Sequence, residues 1–398
     1  MIRFFLILLI LINFISSQNK NPIVLVHGFM GWGEKEMGPY KYWGGWFDLV
    51  GELEKEGYTI FVASVGPVSS SWDRAIELYY QIKGGRIDYG KYHSEKYGLI
   101  QKPLEKDYKG LYPQWSEKNP LHFIGHSMGG QTIRMLDYLL NNVIQDSLGT
   151  QEKSKLLGKP SKGWIKSITT LSTPHDGTTI SDFINAGIPF LQNFIALAGV
   201  AGNSFYDFDL EQWGFKRFKE ESWINYFKRM KQHSIWDSKN TVAWDSSIEG
   251  AKEINSLCVA NPDVYYFSIT NYKTKIDEDS GYHKPMKGMS NILKVQARLM
   301  GRKKAYYSDG TSTDSTWYLN DGVVNTVSML GPTTGSSGPD PITEFRQGDL
   351  VIPGQWYVMG KYEFDHSALI GHQMRKDEYS NLKKIYSDQL RILWSLPN

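Results

Sequence analysis

Short apolar runs alternate with amphipathic stretches along most of the chain. Residues 22–26 form a continuous apolar run, which is typical of a parallel strand covered on both faces. Residues 47–56 carry apolar side chains at helical spacing, and Gly57 follows where that helix should end. Further strands are predicted at residues 58–63, 121–124, 165–171, 263–270 and 357–364. This alternation predicts a doubly wound, mostly parallel α/β sheet.

Two long segments interrupt the strand–helix pattern. From residue 178 to about residue 260 the chain is rich in tryptophan and in helical spacing, which predicts a helical cap inserted into the sheet. Residues 273–314 form a polar excursion punctuated by glycine. We expect one domain over residues 18–398 that carries this cap, rather than two folding units.

The closing segment has its own amphipathic pattern. Leu382, Ile385, Leu390 and Leu393 lie at near-helical spacing, which predicts a final helix packed on the sheet. Within the cap, residues 183–200 are the most apolar stretch after the N-terminus, with Pro189 and Gly187 inside it. Two interpretations remain open for this stretch, a lid that moves at an interface and a buried core helix.

The first residues have the pattern of a signal peptide. Arg3 precedes an apolar run over residues 4–12, and the small residues Ser16 and Ser17 follow. The apolar run is too short to span a bilayer. We therefore expect cleavage between Ser17 and Gln18 and secretion of the mature protein, with an uncleaved anchor as the alternative.

The amino-acid composition limits the kinds of partner and the disulfide bonds that we expect for this protein. The chain has 398 residues, of which 41% are hydrophobic and 22% charged, with a formal net charge of +2. This near balance gives no support for a nucleic-acid partner. Cys258 is the sole cysteine and lies in an apolar run, so we expect a buried, inert thiol and no internal disulfide.

The segment Gly125-His126-Ser127-Met128-Gly129 carries the strongest chemical signal. It matches the G-x-S-x-G nucleophile elbow, in which a strained turn between a strand and a helix exposes the serine hydroxyl. The flanks agree, because an apolar strand precedes the segment and a helical pattern follows it. Glycines two residues from the serine on each side leave room for that turn. Ser127 is therefore the candidate nucleophile.

A serine nucleophile needs a base, an acid that orients the base, and donors for the oxyanion. His366 follows the last predicted strand, where the base of this fold belongs. Asp321 is the preferred acid, Asp176 is the alternative, and Asp365 is interpreted as a loop residue.

The expected oxyanion donors are two backbone N–H groups. Met128 directly follows the nucleophile, and Phe29 follows the first strand. His27, at the end of that strand, is interpreted as an anchor for its loop rather than as a catalytic group.

Several longer motifs carry a family resemblance. They are residues 26–29 (VHGF), 41–45 (KYWGG), 71–75 (SWDRA), 173–179 (TPHDGTT) and 320–328 (NDGVVNTVS). In order and content the chain resembles the large secreted triacylglycerol lipases of thermophilic bacilli and staphylococci. The resemblance implies an α/β-hydrolase fold with a cap or lid and a triad of Ser127, Asp321 and His366. It also implies an oxyanion hole at Phe29 and Met128.

The resemblance also implies metal sites, and here the chain departs from the family. Asp73 and His93 match two zinc ligands, Glu211 stands at a third position, and Leu99 replaces the fourth ligand. Structural zinc and a hydrogen-bonded polar cluster joining cap to core both remain open, with the cap held chiefly by packing around aromatic side chains. Calcium is not expected, because Ala368 and Gln373 replace its acidic ligands.

The expected function is hydrolysis of acylglycerol esters through an acyl-serine intermediate, without a cofactor in the chemistry. Phospholipase A1 or general carboxylesterase activity is the alternative, a protease is a further one, and an inactive lipid-binding relative is the non-enzymatic one. The expected partners are a lipid substrate and the lipid–water interface, with no nucleic acid and no transmembrane anchor. We expect a monomer.

Overall fold

Parallel strands form the centre of the molecule. The computed structural model describes residues 19–34, 36–104, 106–180, 210–215 and 218–398. In chain order the strands are β1 (Ile23–Val26), β2 (Ile60–Ala63), β3 (Gly85–Arg86), β4 (Asp107–Tyr108), β5 (Leu121–His126), β6 (Ile165–Leu171), β7 (Tyr265–Asn271), β8 (Thr274–Ile276), β9 (His283–Pro285), β10 (Ile342–Glu344) and β11 (Trp356–Tyr362). Seven of them form one sheet in the order β10-β11-β7-β6-β5-β1-β2, and every neighbouring pair is parallel. The predicted doubly wound sheet is confirmed.

Helices cover both faces of this sheet. They are α1 (Leu49–Glu54), α2 (Ser71–Lys83), α3 (Lys91–Tyr97), α4 (Met128–Asn141), α5 (Trp223–Lys231), α6 (Val242–Asp245), α7 (Ile248–Leu257), α8 (Lys294–Met300) and α9 (Lys376–Ser395). Local sequence explains their ends. The Ser70 hydroxyl caps α2 by accepting from the Asp73 N–H, and Gly84 ends it at φ +86°.

The core divides into one apolar cluster on each face of the sheet. On one face α2 and α4 pack against β1, β5 and β6. On the other face α1 and α9 cover the same strands, and Leu382, Leu390 and Leu393 of α9 are buried there. The predicted closing helix is confirmed. Cys258 is also buried as predicted, and desolvation raises the pKa of its thiol to about 12.

The described part of the predicted cap comprises residues 178–180, 210–215 and 218–260. It contains a 3₁₀ turn at Glu211–Trp213 followed by α5, α6 and α7. Trp213 packs edge-on against Phe215 and Trp236 in a cluster with Met128 and Leu210. The predicted signal peptide and the lid candidate at 183–200 lie outside the described residues. Of the helices described, none is long and apolar enough to cross a membrane.

The small β-elements were not predicted from the sequence. The pair β3–β4 is a short antiparallel pair with α3 between its strands, β8–β9 is a short antiparallel hairpin, and β10 is a three-residue edge strand. Each is too short to show the alternation by which a strand is recognised. The excursion at 273–314 contains β8, β9 and α8.

Candidate functional site

Ser127 lies in a strained turn between β5 and α4. Its backbone has φ +55° and ψ −128°, which a residue with a side chain adopts only when its surroundings enforce it. The surroundings do enforce it. A Cβ on Gly129 would lie 2.1 Å from the Val26 carbonyl oxygen, and a Cβ on Gly125 would lie 2.5 Å from the Gly129 backbone. The glycines therefore permit the close approach that the elbow requires.

His366 and Asp321 meet beside this turn. The His366 Nδ1–H donates to Asp321 Oδ2 at 2.7 Å, and Asp321 is fully buried. The other oxygen of Asp321 accepts from the backbone N–H groups of Val323 and Val324 at 2.8 and 2.7 Å. These partners fix the carboxylate, which in turn fixes the tautomer that leaves His366 Nε2 free to accept a proton.

Asp176, the alternative acid, has other partners. Its carboxylate accepts from the backbone and hydroxyl groups of Thr333 and Thr334 and from Asn255 Nδ2. It therefore holds the 333–334 loop. Asp365 is a loop residue as interpreted, and accepts from the N–H groups of Ala368 and Ser290.

The two segments that carry the predicted oxyanion donors pack against each other. Gly28, beside Phe29, packs against the Ser127 side chain so tightly that a Cβ there would be 2.6 Å from Ser127 Cβ. The N–H groups on either side of Phe29 are occupied, since that of Gly28 donates to Tyr42 Oη and that of Met30 to the Pro67 carbonyl. Among the described residues no hydrogen bond is found to the N–H of Phe29 or of Met128. Within the described ranges, both N–H groups are therefore free to donate to a ligand.

His27 anchors the oxyanion loop, as interpreted from the sequence. Its Nδ1 contacts the Gly28 carbonyl at 2.9 Å and its Nε2 accepts from the Val65 N–H at 3.1 Å. Complete burial lowers the pKa of His27 to about 3, which keeps the ring neutral. Arg74, whose role the sequence did not reveal, is also fully buried and donates to the His27 and Gly66 carbonyls.

Tyr42 and His126 link the loops of the site, and sequence reasoning missed both. The Tyr42 hydroxyl accepts from the Gly28 N–H at 2.8 Å and donates to His126 Nδ1 at 2.7 Å. His126 Nε2 then donates to the His366 carbonyl at 3.1 Å. Burial lowers the pKa of His126 well below its usual value, so the link stays neutral. The sole signal was the placement of Tyr42 in a family motif and of His126 in the elbow.

The structure brings together two of the three predicted zinc ligands. His93 Nε2 donates to Asp73 Oδ1 at 2.7 Å, and Asn240 Nδ2 donates to Asp73 Oδ2 at 3.0 Å. The Glu211 carboxylate is instead placed 3.7 Å from the Lys106 ammonium. The prediction that three ligands lie together is therefore wrong for Glu211. Asp73 and His93 lie together as predicted, and the Asn240 amide lies next to them.

These residues do not fit the zinc that the resemblance implies. Asn240 turns its amide N–H toward Asp73, and its Oδ1 accepts from the Ser70 hydroxyl, so this side chain supplies no anionic metal ligand. Leu99 packs with Trp213 and other apolar side chains of the cap. Within the described ranges no three His, Cys, Asp or Glu side chains lie close enough together to hold a metal ion. Asp73, His93 and Asn240 form a hydrogen-bonded polar cluster.

A second buried cluster connects the core to the cap segment. Lys106 and Glu77 are 2% and 1% exposed and form an ion pair at 3.0 Å. The Tyr89 hydroxyl donates to the same Glu77 oxygen at 2.6 Å. Gln212, from the 3₁₀ turn of the cap, accepts from Lys106 at 3.3 Å. The pair is satisfied on all sides, as a buried ion pair requires.

Comparisons with a family model and with known proteins identify the same family. A family model described as "Lipase-like, C-terminal domain" matches residues 19–391. Lipase 1 of Staphylococcus aureus is 36% identical over 371 residues, which cover 89% of this chain and 51% of the relative. Lipase 2 of the same species is 36% identical over 331 residues, which cover 81% of this chain and 46% of the relative. The chain thus spans about half the length of these relatives.

Solved structures of two similar proteins superpose on nearly the whole chain. EstA from Clostridium botulinum superposes with a TM-score of 0.85 and 40% identity, covering 97% of this chain and 90% of that one. Staphylococcus hyicus lipase superposes with a TM-score of 0.83 and 34% identity, covering 95% and 97%. The chain therefore has the α/β-hydrolase fold and belongs to the lipase-like C-terminal domain family.

Proposed function

We propose that this protein is a triacylglycerol lipase, which hydrolyses the carboxylic esters of acylglycerols through an acyl-Ser127 intermediate. The observation that carries the proposal is the 2.7 Å hydrogen bond between His366 and the buried Asp321, next to a serine held at φ +55°. The relatives named lipases support the choice of substrate class.

Each residue has one role in the proposed reaction. His366 Nε2 takes the Ser127 hydroxyl proton as Oγ attacks the ester carbonyl carbon, and Asp321 stabilises the imidazolium that forms. The N–H groups of Phe29 and Met128 donate to the developing oxyanion. The ester C–O bond then breaks, and the alcohol leaves with the proton from His366.

The second half of the reaction regenerates the enzyme. His366 takes a proton from water, the resulting hydroxide attacks the acyl-Ser127 carbonyl, and Ser127 recovers its proton as the fatty acid leaves. Every proton is carried by His366, so the reaction needs no cofactor. We further propose a single catalytic domain over residues 18–398 and secretion after cleavage between Ser17 and Gln18, which N-terminal sequencing of the mature protein checks.

A panel of triolein, p-nitrophenyl butyrate and phosphatidylcholine tests the substrate class. We expect triolein and p-nitrophenyl butyrate to be hydrolysed and Ser127→Ala to abolish both activities. Ser380→Ala is the matched control, because Ser380 is an exposed serine on α9. Faster hydrolysis of phosphatidylcholine than of triolein would reassign the protein as a phospholipase, and full activity of Ser127→Ala would refute the mechanism.

A further inference from the structure

The excursion that follows β7 is strongly basic. Between Lys273 and Lys304 the chain carries nine Lys or Arg and three Asp or Glu. The whole chain has a formal net charge of +2, so the remainder of the sequence is net acidic. Ion pairs in this segment join Lys284 to Asp277 at 3.2 Å and Lys273 to Glu363 at 3.0 Å. Positive charge is thus concentrated in one segment.

Helix α8 within this segment has an apolar stripe on its outer side. Its inner side is buried through Leu293, Ala297 and Met300. Val295 and Leu299 are 65% and 37% exposed and lie four residues apart on one side of the helix, and Ile292, 78% exposed, lies in the turn just before its N-cap Leu293.

Basic residues alternate with this stripe. Lys294 and Arg298 are exposed and each lies next to a stripe residue in sequence. We name the surface formed by Ile292, Lys294, Val295, Arg298 and Leu299 the α8 outer face. An apolar stripe flanked by Lys and Arg is the pattern of helices that lie in the plane of a lipid interface.

The α8 outer face belongs to an element fixed beside the candidate triad. The Asn320 side chain, next to Asp321 in the chain, donates to the Ala297 carbonyl of α8 at 3.1 Å. The Ser290 N–H donates to Asp365, next to His366, at 2.8 Å. If the α8 outer face binds a partner surface, the candidate triad is therefore held close to that surface.

We propose that the α8 outer face docks the protein on an anionic lipid–water interface. Charge decides the occupant, because Lys294 and Arg298 are attracted to anionic headgroups, whereas a second copy of the same face would be repelled. The apolar stripe then gains by leaving water among the acyl chains. The proposal rests on the proposed lipase function only for its choice of a lipid as partner.

Vesicle binding of the Ser127→Ala protein tests the proposal without lipolysis. Co-sedimentation is measured with vesicles of phosphatidylcholine alone and of phosphatidylcholine with an equal amount of phosphatidylglycerol. We expect tighter binding to the anionic vesicles, lost in high salt. Adding Lys294→Gln and Arg298→Gln should weaken that binding by roughly 30-fold, about fivefold per basic residue. Adding Ile292→Ser and Val295→Ser should weaken binding to both kinds of vesicle.

Lys159→Gln with Lys162→Gln is the matched control. Both lysines are exposed and precede β6, so they lie at the amino end of the sheet, away from the elbow at the carboxyl end of β5. This pair should leave binding unchanged, and thermal melts should show all variants folded.

Three results would overturn the proposal. The first is equal binding of the Ser127→Ala protein to both kinds of vesicle. The second is a loss of vesicle binding in the Lys159→Gln, Lys162→Gln control equal to that in the Lys294→Gln, Arg298→Gln variant. The third is a dimer in solution that dissociates when the α8 outer face is substituted. No ester is cleaved in the vesicle assay, so it tests docking separately from the proposed lipase activity. Vesicle binding can fail while the unsubstituted protein hydrolyses esters, and ester hydrolysis can fail while vesicle binding succeeds.

Discussion

Replacing Asp321 with asparagine changes one atom that faces the candidate base. The amide oxygen of Asp321→Asn can keep the hydrogen bonds from the Val323 and Val324 N–H groups, which hold Oδ1 at 2.8 and 2.7 Å. The amide nitrogen then replaces Oδ2 and points its hydrogens at His366 Nδ1. The ring must accept there, so its proton moves to Nε2 and the base can no longer take the Ser127 proton.

The size of each effect follows from these contacts. Loss of the correct tautomer should lower kcat by about 10⁴, which corresponds to ~5.5 kcal/mol of transition-state stabilisation. The free energy of unfolding should change less than the activation free energy, because among the described residues the other bond to Oδ2 comes from Asn271 Nδ2 at 3.2 Å. Losing it should lower the free energy of unfolding by about 1 kcal/mol.

The assay compares initial rates on p-nitrophenyl butyrate with urea unfolding curves for Asp321→Asn and Asp176→Asn. The Asp176 carboxylate holds Thr333 and Thr334, so its variant should lose more stability and keep kcat within tenfold of the parent. A greater loss of kcat at Asp176, or a rate above one tenth of the parent for Asp321→Asn, would refute the assignment of the acid.

Three further predictions concern the nucleophile, its turn and the metal. Ser127→Ala should lower kcat by about 10⁵–10⁶, because triad residues act as a unit, and should leave the melting temperature nearly unchanged; a rate above one tenth of the parent would contradict it. Gly129→Ala should prevent folding or lower the melting temperature strongly, because the added Cβ would lie 2.1 Å from the Val26 carbonyl oxygen; a normal melt would contradict this turn geometry. Neither EDTA nor calcium should shift the melting temperature of the parent, whereas Leu99→His combined with Asn240→Asp should create stabilisation by zinc; elemental analysis showing one zinc per parent chain would contradict this.

The sheet and the candidate triad could be predicted because their signals are local. The nucleophile turn needs glycines at fixed distances from Ser127, and a buried parallel strand needs a continuous apolar run. His366 could be predicted because it follows a strand, and parallel strands bring their carboxyl ends to one edge of a sheet. Asp321 lies in a turn and was predicted from the chain order Ser, Asp, His and from the family resemblance.

The remaining parts of the site depend on contacts between distant residues. Tyr42 and His126 are 84 positions apart, and nothing in either segment indicates that the tyrosine hydroxyl meets the imidazole. The position of Glu211 was predicted from a motif alone, and the partner it finds, Lys106, lies in a loop with no motif. Pattern and motif locate a residue along the chain, but they do not identify its partner in space.

The joint between cap and core shows what such distant contacts change. In the family that the chain resembles, a divalent cation would join these parts, and a structural zinc site contributes roughly 10–16 kcal/mol in small domains. Here Asn240 donates to Asp73, Ser70 donates to Asn240 Oδ1 at 2.6 Å, and Lys106 binds Gln212. Each such bond contributes about 1 kcal/mol, or up to about 3 kcal/mol where one partner is charged. The joint is therefore a sum of several weak bonds, none of which a chelator removes, and the cap should open at a lower free energy than one fixed by a metal.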